Sequence, residues 1–287
     1  MSRRWKQEEK RSGPGWRAGE ARRGQVRARR LKWLVVIGLA MVCGIAAGLA
    51  AFFALGVGSG EQSGPPKAAI VDQLSLTDPN PAFVQDATSM LEGAGYAVDY
   101  YPGEQVTVEF YRGLATHHYG VLILRVHSGR YRTPDGTLTD DVVLFSGEPY
   151  SQSYPEERKT GILKRARYFE TDPPTFLFGI PAQFVESRMK GGFEGATVIL
   201  MGCDGLRSNT MAEAFTGKGA KAFISWDDIV SADHTDAATE RLLQYLVVDK
   251  LGVQEAVAAT MREIGPDPSY GGKLAVYPAE TSVSAAH

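Results

Sequence analysis

From Ala68 onward, short apolar runs alternate with stretches whose apolar residues recur every three or four positions. The first kind reads as buried strands and the second as helices lying against them. Strands are expected at 68–73 (AAIVDQ), 97–101, 120–126 (GVLILRV), 196–201 (ATVILM), 220–225 (AKAFIS) and 273–277 (KLAVY). Helices are expected at 81–93, where Phe83, Ala87, Met90 and Leu91 share a face, and at 106–117, where Val108, Tyr111 and Leu114 do. Further helices are expected at 176–189, 210–215, 236–251 and 253–264. Thr210 with Glu213 has the spacing of a capping box. Pro134-Asp135-Gly136 is a turn signal ahead of a hairpin arm at 137–145. The basic run 156–167 reads as a solvated loop open to cleavage. Strands alternating with helices predict an α/β fold with a mainly parallel sheet.

The region before Ala68 has a different pattern. Residues 33–57 (WLVVIGLAMVCGIAAGLAAFFALGV) hold 25 positions without a charge. At about 1.5 Å per residue, such a helix crosses a hydrocarbon layer of about 30 Å. This apolar run exceeds that of a secretory signal, so it reads as an uncleaved anchor, although the Ala-rich end keeps a cleavage site open. Residues 1–32 carry twelve Lys/Arg against three acids. That bias keeps the N-terminus cytoplasmic and places the C-terminal domain outside. Expected segments are a basic tail (1–32), a transmembrane helix (33–57), a linker (58–67), an α/β domain (68–280) and a disordered tail (281–287). Ala40, Gly44 and Gly48 put small residues on one face of the span, a possible homodimer contact.

The chain has 287 residues and a net charge of −2, but without the basic tail the remainder carries 19 basic and 30 acidic residues. An acidic body argues against nucleic acid as a partner. Two cysteines rule out a disulfide scaffold and a cysteine-rich zinc site. Cys43 lies in the span, which leaves Cys203 as the one cysteine of the outer domain. No His/Cys/acid grouping has metal-ligand spacing, and neither a dinucleotide fingerprint nor a P-loop follows the first strand. No cofactor or metal is expected.

In parallel sheets the ligand site lies beyond the carboxyl ends of the strands. Strand three ends at His127, strand four at Met201-Gly202-Cys203-Asp204-Gly205, and strand five at Ser225-Trp226-Asp227-Asp228. An imidazole beside a thiol can take its proton and later protonate a leaving amine. A buried, inert cysteine and a hydrogen-bonded strand-end histidine are the competing structural reading.

Residues 121–129 (VLILRVHSG) followed by 197–205 (TVILMGCDG) resemble the caspase-like, or clan CD, cysteine peptidases. The stretch 219–228 (GAKAFISWDD) followed by a helix is similar to their bacterial and archaeal gingipain-like or CHAT-like members. The resemblance implies a three-layer caspase-like sandwich, Cys203 as nucleophile and His127 as general acid/base. It implies an oxyanion site of backbone groups near Gly129 and Gly202. Ser128 stands where the family usually has Gly directly after the His. Asp204, Trp226, Asp227, Asp228 and, less directly, Glu148 are the expected substrate pocket, favouring Lys or Arg before the scissile bond. The expected function is a membrane-anchored extracytoplasmic cysteine endopeptidase acting on peptide or protein substrates. The alternative is a catalytically silent interaction or sensing module on the same fold.

Overall fold

A computed structural model describes residues 64–133, 135–168 and 174–279. The basic tail, the apolar segment 33–57 with its small-residue face, most of the linker and the tail 281–287 lie outside the described residues. Among the described residues no helix is long and apolar enough to cross a membrane.

Among the described residues, ten strands form two sheets. The larger sheet contains β1 (Lys67–Asp72), β2 (Ala97–Pro102), β3 (Tyr119–Arg125), β8 (Thr197–Leu200), β9 (Ala222–Trp226) and β10 (Leu274–Tyr277). Their order is β2-β1-β3-β8-β9-β10. All neighbouring pairs are parallel except β9–β10. The smaller sheet is antiparallel, in the order β4 (Ser128–Arg132), β5 (Leu138–Pro149), β7 (Phe176–Pro181) and β6 (Lys164–Arg167).

The continuous apolar runs of the larger sheet feed two cores, because successive side chains leave opposite faces of a strand. Ala68, Ile70, Ile123, Ile199 and Ile224 pack with α1 (Pro81–Gly93), α6 (Ala232–Leu243) and α7 (Val253–Glu263). Ala69, Val71, Leu122, Leu124, Val198 and Leu200 enter the other core. That core also holds residues of α2 (Val108–Gly113), α4 (Ala182–Arg188), α5 (Thr210–Gly217) and the smaller sheet. The architecture is thus mixed α/β, with helices around a mostly parallel sheet.

Four local expectations are corrected. The segment 176–189 is a strand followed by a helix. Phe178 and Ile180 are fully buried in the smaller sheet, and Pro181 sits at the junction, where no helical N–H is required. The run 156–167 is not an open loop. Pro155–Lys159 forms α3, and Lys164–Arg167 is β6, paired with β7. The helix 236–251 starts earlier and passes into a π turn at Gln244–Val248. The N-cap of α5 is Asn209, and the Thr210 hydroxyl meets Ser208 Oγ at 3.0 Å, so the Thr210–Glu213 capping box is not formed.

Candidate active site

His127 and Cys203 follow the carboxyl ends of adjacent strands. β3 and β8 pair in register through Leu124 and Leu200. His127 and Cys203 each lie three residues beyond that pair. Between them, Gly202 permits a close approach: a Cβ there would lie 2.3 Å from Ser128 Oγ and 2.4 Å from the Val126 carbonyl. Ser128 Oγ donates to the Cys203 carbonyl at 2.6 Å, which fastens the end of β3 to the turn after β8. Ser128 therefore does more than replace a glycine.

The turn itself is constrained. Asp204 has φ +61, a left-handed conformation that Asp and Asn tolerate better than other L residues. Its amide donates to the Asp228 carbonyl at 3.1 Å. A Cβ at Gly205 would lie 2.0 Å from Ser225 Oγ. Gly205→Ala is expected to lower stability by about 1–3 kcal/mol through overpacking, read as a shift in the urea midpoint without a change in m.

His127 is half-buried. Its amide donates to Gln73 Oε1 at 2.9 Å, and its carbonyl accepts from Phe145 N at 2.8 Å. Its Nε2 lies 2.9 Å from Thr77 Oγ1. The ring packs against Phe145 and Tyr168, with centroids 5.8 and 5.1 Å away.

Cys203 is a free, half-buried thiol, and its Sγ donates to the Val230 carbonyl at 3.5 Å. Burial pushes its pKa up, and the carboxylates of Asp204, Asp267 and Asp228 add to that, against the Val230 hydrogen bond. The resting thiol is thus protonated at neutral pH. Asp204 is itself raised, first by burial and then by Asp228, with Arg207 and Arg130 opposing. Asp204→Asn keeps the left-handed residue but removes one negative charge. The Cys203 pKa is expected to fall, and iodoacetamide labelling at neutral pH to rise by up to about tenfold, the change in thiolate per pKa unit.

The expected specificity pocket is not assembled as the sequence suggests. Trp226 is fully buried, and its indole N–H donates to Thr235 Oγ1 at 2.9 Å, so it is a core residue and not an exposed pocket wall. Asp227 Oδ1 accepts from Lys273 N at 2.7 Å and fixes the start of β10. Asp228 Oδ2 pairs with Arg207 Nη1 at 2.5 Å. A backbone hydrogen bond from Ile229, joined by Arg207, lowers its pKa against a smaller effect of burial. Glu148 Oε2 accepts from Val108 N at 3.0 Å, at the start of α2, and from Tyr154 Oη at 3.3 Å. Asp227, Asp228 and Glu148 thus each have a partner within the fold. Gly129 sits in β4 opposite Val143, with open space where a Cβ would be. Gly202 is buried between the strand ends, where it serves close packing.

The residues missed from sequence lie at the end of β1 and just after it. Asp72, Gln73, Thr77 and Asp78 reach the end of β3 through His127 or Arg125. Asp72 and Gln73 are buried polar residues bounding an apolar strand, and that was the available signal. Among the described residues no His/Cys/Asp/Glu group is placed to hold a metal ion. No protein-family model matches the chain, and no curated protein matches it.

Proposed function

We propose that the chain is a cysteine endopeptidase with a caspase-like arrangement, anchored to the membrane by residues 33–57 with its catalytic domain outside. The observation that carries this reading is that His127 and Cys203 each follow the carboxyl end of one of two neighbouring parallel strands, with Ser128 Oγ donating to the Cys203 carbonyl at 2.6 Å. It supports the order of elements that the sequence resemblance implies. The left-handed Asp204 after the thiol adds to it, because such conformations cluster at functional turns.

The state of the thiol defines the chemistry. Burial raises the Cys203 pKa, and its Sγ donates to the Val230 carbonyl, so the nucleophile begins as a thiol. A substrate carbonyl entering beside Sγ displaces that contact. His127 then takes the thiol proton as the S–C bond forms, and returns it to the leaving amine as the C–N bond breaks. The product is a thioester on Cys203. His127 next removes a proton from water, which attacks the thioester and releases the acid and the thiol.

The second reading, a silent binding module, is favoured by the same raised thiol pKa and by Ser128 in the glycine position. Incubation with a mixed peptide library separates the two. A peptidase yields new peptide termini from the wild type and none from Cys203→Ala. Absence of cleavage by the wild type, with peptide binding that Cys203→Ala leaves unchanged, overturns the peptidase reading.

A further inference from the structure

Charge is sorted between the two ends of the larger sheet. β1, β2, β3, β8 and β9 run parallel, so the connections entering them share one edge and those leaving them share the other. β10 is antiparallel, which puts the connection before it on the leaving edge. The π turn after α6 returns the chain to the entering edge, where Lys250 lies beside Gly93 and Ala94 at the end of α1. The entering edge carries Lys67, Lys190, Lys218, Lys221 and Lys250 against Glu194 and Asp249, with Glu92 in the last turn of α1. The leaving edge carries Asp78, Glu104, Asp204, Asp227, Asp228 and Asp267 against Arg207 and Lys273.

The lysine edge is a built surface. Lys190 N donates to the Arg112 carbonyl at 2.8 Å, Phe193 N to the Lys218 carbonyl at 2.7 Å, and Lys221 N to the Ala196 carbonyl at 2.8 Å. Neighbouring connections are thus tied to one another. Lys218 is half-buried and the other four lysines are exposed. Among the described residues none of the five forms an ion pair. Beside Lys250 runs a shallow groove lined by Met90, Ala94, Val247 and Val248, and Val248 is 47% exposed. Lysines next to an exposed apolar side chain match a headgroup layer, which offers anionic phosphates above hydrocarbon. By sequence, nine residues (58–66) separate Lys67 from the apolar run 33–57. Nine residues reach at most about 30 Å.

We propose that the lysine edge of the sheet docks on an anionic lipid bilayer, seating Val248 in the headgroup layer. The acidic edge is repelled by the same surface, so the charge separation sets one orientation. β1 has six residues, which puts the two edges about 20 Å apart. Cys203 follows a strand end on the far edge and therefore opens away from the lipid, toward peptides in solution. The inference rests on the anchored reading for its tether and on the peptidase reading for this last consequence.

The test uses the full chain with Cys43→Ala and Cys203→Ala, carrying a bimane label at Val248→Cys or at Glu104→Cys on the far edge. It is reconstituted into phosphatidylcholine vesicles with nitroxide-labelled headgroups, with or without about 30 mol% phosphatidylglycerol. With phosphatidylglycerol the Val248→Cys label is quenched and the Glu104→Cys label is not. Quenching falls at least about threefold without the anionic lipid, in about 0.5 M NaCl, or with Lys190, Lys218 and Lys221 all changed to Gln. Lys273→Gln, on the far edge, leaves it unchanged. Equal quenching at the two positions, or quenching indifferent to phosphatidylglycerol and to the three Lys→Gln changes, overturns the proposal. Label self-quenching that grows with protein density in both lipids makes the face a contact between copies and also overturns it. Release of the chain by alkaline carbonate defeats the anchor instead, while the lysine-dependent quenching still decides the docking.

Discussion

Arg125→Met is expected to destabilise the protein by about 3–5 kcal/mol, the cost of leaving a buried ionic partner uncompensated. Arg125 is 1% exposed, and its guanidinium meets two carboxylates that are nearly as enclosed. Nη1 donates to Asp72 Oδ1 at 2.7 Å, while Nε and Nη2 grip Asp236 Oδ1 and Oδ2 at 2.8 Å each. The planar fork suits this geometry and a lysine does not. Asn80 joins the group by donating to Asp236 Oδ2 at 2.9 Å, so β1, β3, the cap of α1 and α6 meet on one cation.

Without Arg125, two carboxylates stay buried without their cation. Urea unfolding at pH 7 checks this, read as a fall in the midpoint. Adding Asp72→Asn and Asp236→Asn to Arg125→Met is expected to recover much of the loss, because a neutral polar cluster costs less than an unpaired charge. A loss below about 1 kcal/mol at pH 7 would show that water reaches the cluster.

The second large effect is on the proposed peptidase activity. His127→Ala is expected to reduce kcat/KM for a cleaved peptide by about 10²–10⁴-fold, the usual contribution of a positioned acid/base. Cys203→Ala is expected to abolish turnover, since no other group at the strand ends forms the thioester. Because Cys203 starts as a raised, protonated thiol, the two residues act as a unit. The double variant should then be little worse than Cys203→Ala alone. A His127→Ala enzyme within about threefold of wild type would remove the imidazole from the mechanism.

The sheet was legible because its strands are near-continuous apolar runs, and the pattern from Ala68 to Ile123 falls on β1, α1, β2 and β3 almost residue for residue. The smaller sheet was mostly hidden. β6 is a basic edge strand whose sequence, KRAR, resembles a solvated loop until β7 pairs with it. β7 carries apolar residues at positions that also fit a helix, and only Pro181 marked the limit. The places of His127 and Cys203 just past two strand ends could be read because strand ends can be inspected one by one. Their supports could not. Asp72, Arg125 and Asp236 are far apart in sequence, and each looks like an ordinary surface charge at an element boundary. Asp228 and Glu148 looked like free carboxylates, because their partners, Arg207 and the Val108 amide, are set by tertiary structure.

The most direct test of the proposed nucleophile–base pair is covalent trapping. The full chain is incubated with peptide acyloxymethyl ketones varied at the residue before the reactive carbonyl, and the adduct is located by mass spectrometry. The paired thiol and imidazole predict a single adduct on Cys203, none on Cys43, and a rate at least about 10²-fold lower in His127→Ala. No adduct on Cys203 in the folded protein, with ready labelling of the same thiol in urea, would contradict it and make Cys203 a packing residue.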